Sequence, residues 1–311
     1  RIRDLPPLVD AIQRLAVRGA PALGVAAGYG MVLGVRERGA ASSAEFAAAV
    51  ATVGAILIAA RPTAVNLPWA VERMQRRARA QPTLAALLDE ARAIHREDEQ
   101  LCRRIGEAGA DLIEDGMTVL THCNAGRLAT AGDGTALAVL FEARRRGRRF
   151  QVLADETRPL LQGARLTALE LHAAGIPVAV IVDSAAAGLM RRGEVQLVIT
   201  GADRIAANGD AANKIGTYSL ALAAQAHAVP MWIAAPSSSF DLGLPHGDAI
   251  PIEDRASEEV LGFAGTRTAP LGVAARNPAF DVTPAALLTG LVTDRGLIRP
   301  VDAETIKATL G

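Results

Sequence analysis

Cys123 lies in the run Thr121-His122-Cys123-Asn124-Ala125-Gly126, and Gly132-Asp133-Gly134-Thr135 follows shortly after. An apolar run ends here, and glycines open a turn ahead of a helical stretch. Glycines let the backbone approach a ligand closely, and the first amides of a helix favour an anion. A cysteine at such a turn is a candidate reactive group, because nearby positive potential favours thiolates. The plain alternative is a small buried cysteine packed into a strand–helix turn, and local features alone leave the two readings balanced. Cys102 falls mid-helix among charged residues and reads as structural.

Asp203 ends a second apolar run, Ile199-Thr200-Gly201-Ala202-Asp203-Arg204. A carboxyl group kept protonated by burial can act as an acid. A turn cap paired with Arg204 is the ordinary alternative. The following residues strengthen the chemical reading: Asn208-Gly209-Asp210, then Asn213-Lys214-Ile215-Gly216-Thr217. Lys214 is expected near a helix start, beside the Asn213 amide and a glycine, where a phosphate would be well held. Arg18-Gly19-Ala20-Pro21 and Arg61-Pro62-Thr63 each put an arginine ahead of a turn that opens a helix, and a guanidinium fork fits phosphate or sugar oxygens. Asp155-Glu156-Thr157-Arg158-Pro159 and Gln162-Gly163-Ala164-Arg165 crowd charge into one strand–helix junction. Gln162 can both donate to and accept from sugar hydroxyls, whereas a structural ion network would account for the charges.

These residues need elements to hold them. Up to about Asp115-Gly116 the chain reads as helical, with a Ser42/Glu45 capping box ahead of Phe46–Ala60 and helical periodicity from Thr83 to Ile113. Beyond it, apolar runs at 117–121, 150–154, 178–182, 197–200 and 231–235 alternate with helical stretches at 135–146, 163–174, 185–192 and 213–227. Such alternation predicts a parallel sheet covered on both faces, with ligands bound beyond the carboxyl ends of its strands. The polar clusters at 122–124, 155–156, 183–184 and 201–203 fall at those ends. The expected fold is α/β: a helical N-terminal domain over 1–114 and a Rossmann-like parallel-sheet domain over 115–311.

Composition narrows the function. Lys plus Arg and Asp plus Glu balance at 33 each, which gives no basic footprint for nucleic acid. Two isolated cysteines in 311 residues form no disulfide framework, pointing to a reducing, cytoplasmic setting. No uninterrupted apolar run approaches the roughly 20 residues that span a bilayer, and no membrane partner is expected. The chain opens on Arg1 rather than Met, from which we expect that residues precede it. The five histidines show no metal-ligand spacing, so no metal is signalled. Gly132-Asp133-Gly134 lacks the dinucleotide spacing, and no cofactor is indicated.

Taken together, Arg18–Pro21, Arg61–Leu67, Thr121–Gly126, Asp155–Arg165, Gly201–Tyr218 and Asn277–Pro284 resemble the methylthioribose-1-phosphate isomerase family. The likeness runs through nearly the whole chain in order. It implies the two-domain fold above, usually as a homodimer, and a sugar-phosphate substrate in methionine salvage. By motif, the family's essential cysteine falls on Cys123 and its acid–base aspartate on Asp203. Its substrate-contacting positions fall on Arg18, Gly19, Ala20, Arg61, Gln162, Asn213 and Lys214. Arg127 and Asp133 depart from the family pattern beside the cysteine and put two unexpected charges near the presumed site.

Such a substrate carries phosphate on its anomeric oxygen, so it cannot open to a free aldehyde. Its ring oxygen must be protonated as the ring C1–O bond breaks, which suits Asp203 as the acid. Hydrogen then moves from C2 to C1, as a proton with Cys123 as base or as a hydride with Cys123 stabilising charge. The resemblance leaves ribose 1,5-bisphosphate and 5-deoxyribose 1-phosphate as alternative substrates. It also leaves a reading of another class, a non-enzymatic regulatory subunit of a translation-initiation exchange factor, against which the retention of both Cys123 and Asp203 argues.

Overall fold

The computed structural model describes residues 1–39, 41–61 and 65–311. Their contacts divide them into two compact units: Arg1–Leu101 with Arg127–Gly132, and Cys102–Gly126 with Asp133–Gly311.

The first unit is built from helices α1 (Leu5–Gln13), α2 (Ala20–Glu37), α3 (Ser43–Ala60), α4 (Asn66–Ala80) and most of α5 (Leu84–Gly109). Gly19 caps α2 at φ 91°, and Pro21 fits the first turn, where its missing N–H costs nothing. A side chain at position 19 would run into Ala129, so this turn demands glycine. The Ser42 hydroxyl accepts from the Glu45 amide at 3.2 Å and the Glu45 carboxylate accepts from the Ser42 amide at 3.2 Å, the capping box read from the sequence. Helix α3, 18 residues long, is long and apolar enough to cross a membrane by length and composition, although no uninterrupted run in the sequence suggested it. Phe46, Val50, Val53 and Leu57 on this helix pack with Leu23, Met31, Leu67 and Met74 in one buried cluster, so one face of α3 is buried in the unit and the other is exposed.

The second unit alternates strand and helix: β1 (Thr118–Thr121), α6 (Ala136–Arg145), β2 (Gln151–Asp155), α7 (Ala168–Ala173), β3 (Val178–Ile181), α8 (Ala186–Arg191) and β4 (Leu197–Thr200). Then come β5 (Arg204–Ala206), β6 (Ala211–Lys214), α9 (Thr217–Ala226), β7 (Met231–Ala234) and β8 (Phe240–Asp241). The chain ends with α10 (Glu258–Leu261), β9 (Gly262–Phe263), β10 (Thr266–Arg267), β11 (Phe280–Thr283), β12 (Gly290–Thr293), β13 (Gly296–Ile298) and α11 (Ala303–Leu310).

Seven strands form one sheet in the order β13-β12-β7-β4-β1-β2-β3, parallel except where β13 joins β12. This is the Rossmann-like sheet expected from the alternation. Neighbouring residues face opposite sides: Val119 and Ile199 pack towards α6, Leu120 and Val198 towards α8 and α9. Burial on both faces explains why these strands are continuously apolar. Each such side chain contributes about 1.5–3 kcal/mol when fully buried.

The chain leaves β1 to build β2 and β3 on one side, then crosses to β4 and β7 on the other. The topological switch therefore lies between β1 and β4, which pair directly through Val119 with Leu197 and Leu120 with Val198. Ligand crevices open at such switches, beyond the carboxyl ends of the strands. A second, four-stranded sheet in the order β11-β6-β5-β8 was not foreseen.

Candidate active site

Cys123 follows β1 by two residues, and Asp203 follows β4 by three. The switch in strand order thus sets the two expected chemical groups at neighbouring strand ends.

The cysteine turn is held in an unusual backbone shape. Cys123 has φ 65° and Thr157, which follows the adjacent β2, has φ 64°. A left-handed conformation is costly for a β-branched residue and persists only where its surroundings impose it. Here they do. The Cys123 amide donates to the Thr157 hydroxyl at 2.9 Å, which donates to the Asp155 carbonyl at 3.0 Å. The Thr167 hydroxyl donates to the Cys123 carbonyl at 2.6 Å. The amides of Thr157 and Arg158 donate to the two carboxylate oxygens of Asp183 at 2.7 and 2.8 Å. The cysteine is half-buried, and the Gln162 side-chain amide donates towards its sulfur at 3.4 Å. Gln162 itself is buried, and its Oε1 has no hydrogen-bond partner among the described residues.

Asn213 and Lys214 are not at a helix start, as the sequence suggested. They end β6, and α9 begins only at Thr217, after Gly216 at φ 105°. Pairing with β11 accounts for the difference: Lys214 faces Phe280 and Asn213 faces Asp281 across an antiparallel ladder. The Asn213 side-chain amide donates to the Thr217 hydroxyl at 3.0 Å. The Lys214 ammonium donates to the Ala279 carbonyl at 2.8 Å and lies 4.4 Å from the centre of the Phe280 ring. Burial holds its pKa below the ordinary lysine value, against the opposing pull of Cys123 and Asp203, both within electrostatic reach. Cys123, Gln162, Asp203, Asn213 and Lys214 therefore share one neighbourhood of the second unit.

Arg18, Gly19, Ala20 and Arg61 belong to the first unit. Arg18 precedes the Gly19 cap of α2, which opens at Ala20, and Arg61 follows the last turn of α3. Pro62, Thr63 and Ala64 of the second arginine motif lie outside the described residues.

The Arg204 guanidinium, weighed on the sequence as a partner for Asp203, lies 3.7 Å from Asp241. Of the charges in 155–165, Asp155 bonds the buried His122, while Arg158 and Arg165 donate to backbone carbonyls. Of the two unexpected charges, Asp133 pairs with Arg145 at 2.7 Å, and Arg127 lies on an exposed 3-10 turn in the other unit.

Sequence reasoning placed His122 in a polar cluster at a strand end but gave it no role. Its ring is buried, with Nδ1 2.9 Å from an Asp155 carboxylate oxygen and Nε2 2.9 Å from the Ile215 carbonyl. Burial disfavours a charged ring, but the hydrogen bond and charge of Asp155 outweigh it and hold the pKa above the ordinary histidine value. The position at a strand end beside Cys123 was the available signal. His122, Asp155 and Asp183 also bring ligand atoms within 4.8 Å of one another, so they could hold a cation. Their three strand ends explain why no sequence spacing announced the group. A cation there would have to displace the ring's existing hydrogen bond to Asp155.

Comparison with known proteins now decides the family. The profile of the Initiation factor 2 subunit family matches residues 16–300. The chain belongs to this family. Within it, the chain is 56% identical over 303 residues to a methylthioribose-1-phosphate isomerase of Syntrophotalea carbinolica, covering 96% of this chain and 88% of that protein. It is 53% identical over 316 residues to a 5-deoxyribose 1-phosphate isomerase of Moorella thermoacetica, covering 100% of this chain and 90% of that one. The crystal structure of the 5-methylthioribose 1-phosphate isomerase of Pyrococcus horikoshii superposes with a TM-score of 0.92 at 44% identity, covering 98% of this chain and 87% of that chain. The Rossmann-like fold and the family resemblance read from the motifs are both borne out.

Proposed function

We propose that this chain is an aldose–ketose isomerase acting on a sugar 1-phosphate, converting 5-methylthioribose 1-phosphate to 5-methylthioribulose 1-phosphate in methionine salvage. The observation that carries the reading is the meeting of a half-buried cysteine, an aspartate and a half-buried lysine at the switch point of the sheet, in a chain 56% identical to a methylthioribose-1-phosphate isomerase.

Asp203 serves as the acid that protonates the ring oxygen while the ring C1–O bond breaks. Cys123 then acts at C2 and C1, as base in a proton route or as charge stabiliser in a hydride route. Lys214 has three donor hydrogens and spends one on the Ala279 carbonyl, which leaves two for a phosphate. Asn213, Arg18, Gly19, Ala20 and Arg61 complete the substrate contacts in this reading. The partnerless Oε1 of Gln162 supplies an acceptor for a sugar hydroxyl beside the sulfur. We take the chain to work as a cytoplasmic homodimer, on the strength of the family resemblance.

A second substrate is favoured by one finding, the relative at 53% identity named for 5-deoxyribose 1-phosphate. The two sugars differ only in the 5-substituent. Turnover of 5-methylthioribose 1-phosphate, 5-deoxyribose 1-phosphate and ribose 1,5-bisphosphate by the same preparation separates the readings. We expect the highest kcat/KM for the methylthio sugar. Turnover of none of the three by folded protein would refute the isomerase reading.

A further inference from the structure

His122 is in contact with three elements at once. It follows β1 directly and precedes Cys123, its Nδ1 meets Asp155 at the end of β2, and its Nε2 meets the carbonyl of Ile215, the residue after Lys214. A carbonyl oxygen only accepts, so Nε2 must carry a hydrogen and donate. The space around the ring is shaped for it: a side chain at Gly216 would come within 2.9 Å of the His122 ring. The same turn is gripped from its other side by Asp281, whose carboxylate accepts from the Gly216 amide at 2.7 Å and the Tyr218 amide at 3.1 Å.

We propose that His122 is a positioning residue, which donates from Nδ1 to Asp155 and from Nε2 to Ile215 and so locks the Cys123 turn to the strand end that carries Lys214. The proposal rests on the isomerase reading above and adds to it a group that touches neither substrate nor reacting atoms. Three carboxylates face the ring electrostatically: Asp155 from β2, Asp183 after β3 and Asp281 from β11. Two acceptor oxygens at 2.9 Å, one on each ring nitrogen, call for a hydrogen on both nitrogens. Without the lock, the thiol and the ammonium depend on separate strand ends for their spacing. A displacement of about 1 Å between a reacting group and a binding group can cost roughly 100-fold in rate.

Ring-nitrogen NMR on the labelled protein tests the lock without any substrate. Its expected result is a His122 resonance pair in which both nitrogens are protonated at neutral pH. In Asp155→Asn the Nδ1 state should change while Nε2 keeps its hydrogen. A bare Nε2 in the native protein would overturn the proposal. Kinetics then test the consequence with 5-methylthioribose 1-phosphate. Gln at position 122 can reach Ile215 but not Asp155, whereas Asn can reach Asp155 but not Ile215. We expect His122→Asn to lower kcat/KM by roughly 100-fold and to raise KM more than His122→Gln does. Folded variants that both remain within twofold of the native kcat/KM would also overturn it. If the native protein turns over none of the candidate sugars, the isomerase reading fails by itself, and the ring-nitrogen spectrum alone decides for or against the lock.

Discussion

Lys214 is a cation in a setting that disfavours charge, and its titration should be visible. Burial, reinforced by the nearby Arg255 guanidinium, lowers its pKa from 10.5, while Cys123 and Asp203 pull the other way. The ammonium exists below that lowered pKa and is lost as pH rises through it. The KM for the sugar phosphate should therefore climb with pH before 10.5 is reached. In Lys214→Arg, where the charge persists, KM should stay flat over the same range. Lys214→Ala should cost about tenfold or more in kcat/KM, since a charge-assisted contact is worth roughly 1.5–3 kcal/mol. An alanine variant within twofold of native at neutral pH would remove Lys214 from phosphate binding. At this scale the sequence marked Cys123 and Asp203 as candidates, because a polar residue just after an apolar strand is conspicuous, and the structure places both just beyond strand ends. The sequence set His122 at a strand end but gave it no role, since its two partners, Asp155 and Ile215, lie 33 and 93 residues away in the chain.

Elements carry a different kind of constraint. Gln162, which reaches the sulfur of Cys123, leads into a π-helical turn at Gly163–Thr167 that lies close against the end of β2. A side chain at Gly163 would overlap the Asp155 carbonyl oxygen, the same oxygen that accepts from Thr157. Gly163→Ala should therefore destabilise the fold by about 1–3 kcal/mol, the usual cost of forcing extra atoms into a packed site. Urea unfolding would show this as a lower midpoint, and an unchanged midpoint would mean that the turn opens at no cost. The parallel strands and their helices were legible because both sheet faces are buried and the runs are apolar throughout. The short strands β5, β6, β8 and β11 were not. They span two to four residues each, and Ala211–Lys214 has no alternation to set it apart from the helix that follows. Its pairing with β5 and with β11, some 70 residues downstream, makes it a strand.

For the molecule as a whole, the order of strands matters more than any single motif. Placing β4 beside β1 brings together two turns that are 80 residues apart in sequence, and both expected chemical groups lie on those turns. The alternation of strand and helix made such a meeting foreseeable, but not which pair of strand ends would be neighbours. The central claim is that this meeting produces an isomerase, and phosphorus NMR of the sugar during turnover tests it directly. Native protein given 5-methylthioribose 1-phosphate should convert the anomeric phosphate signal to that of a primary ketose 1-phosphate. Asp203→Asn and Cys123→Ser, at melting temperatures close to native, should each slow that conversion at least about 100-fold, the usual contribution of a positioned acid or base. Conversion at an undiminished rate in either folded variant, or none in the native protein, would contradict the account.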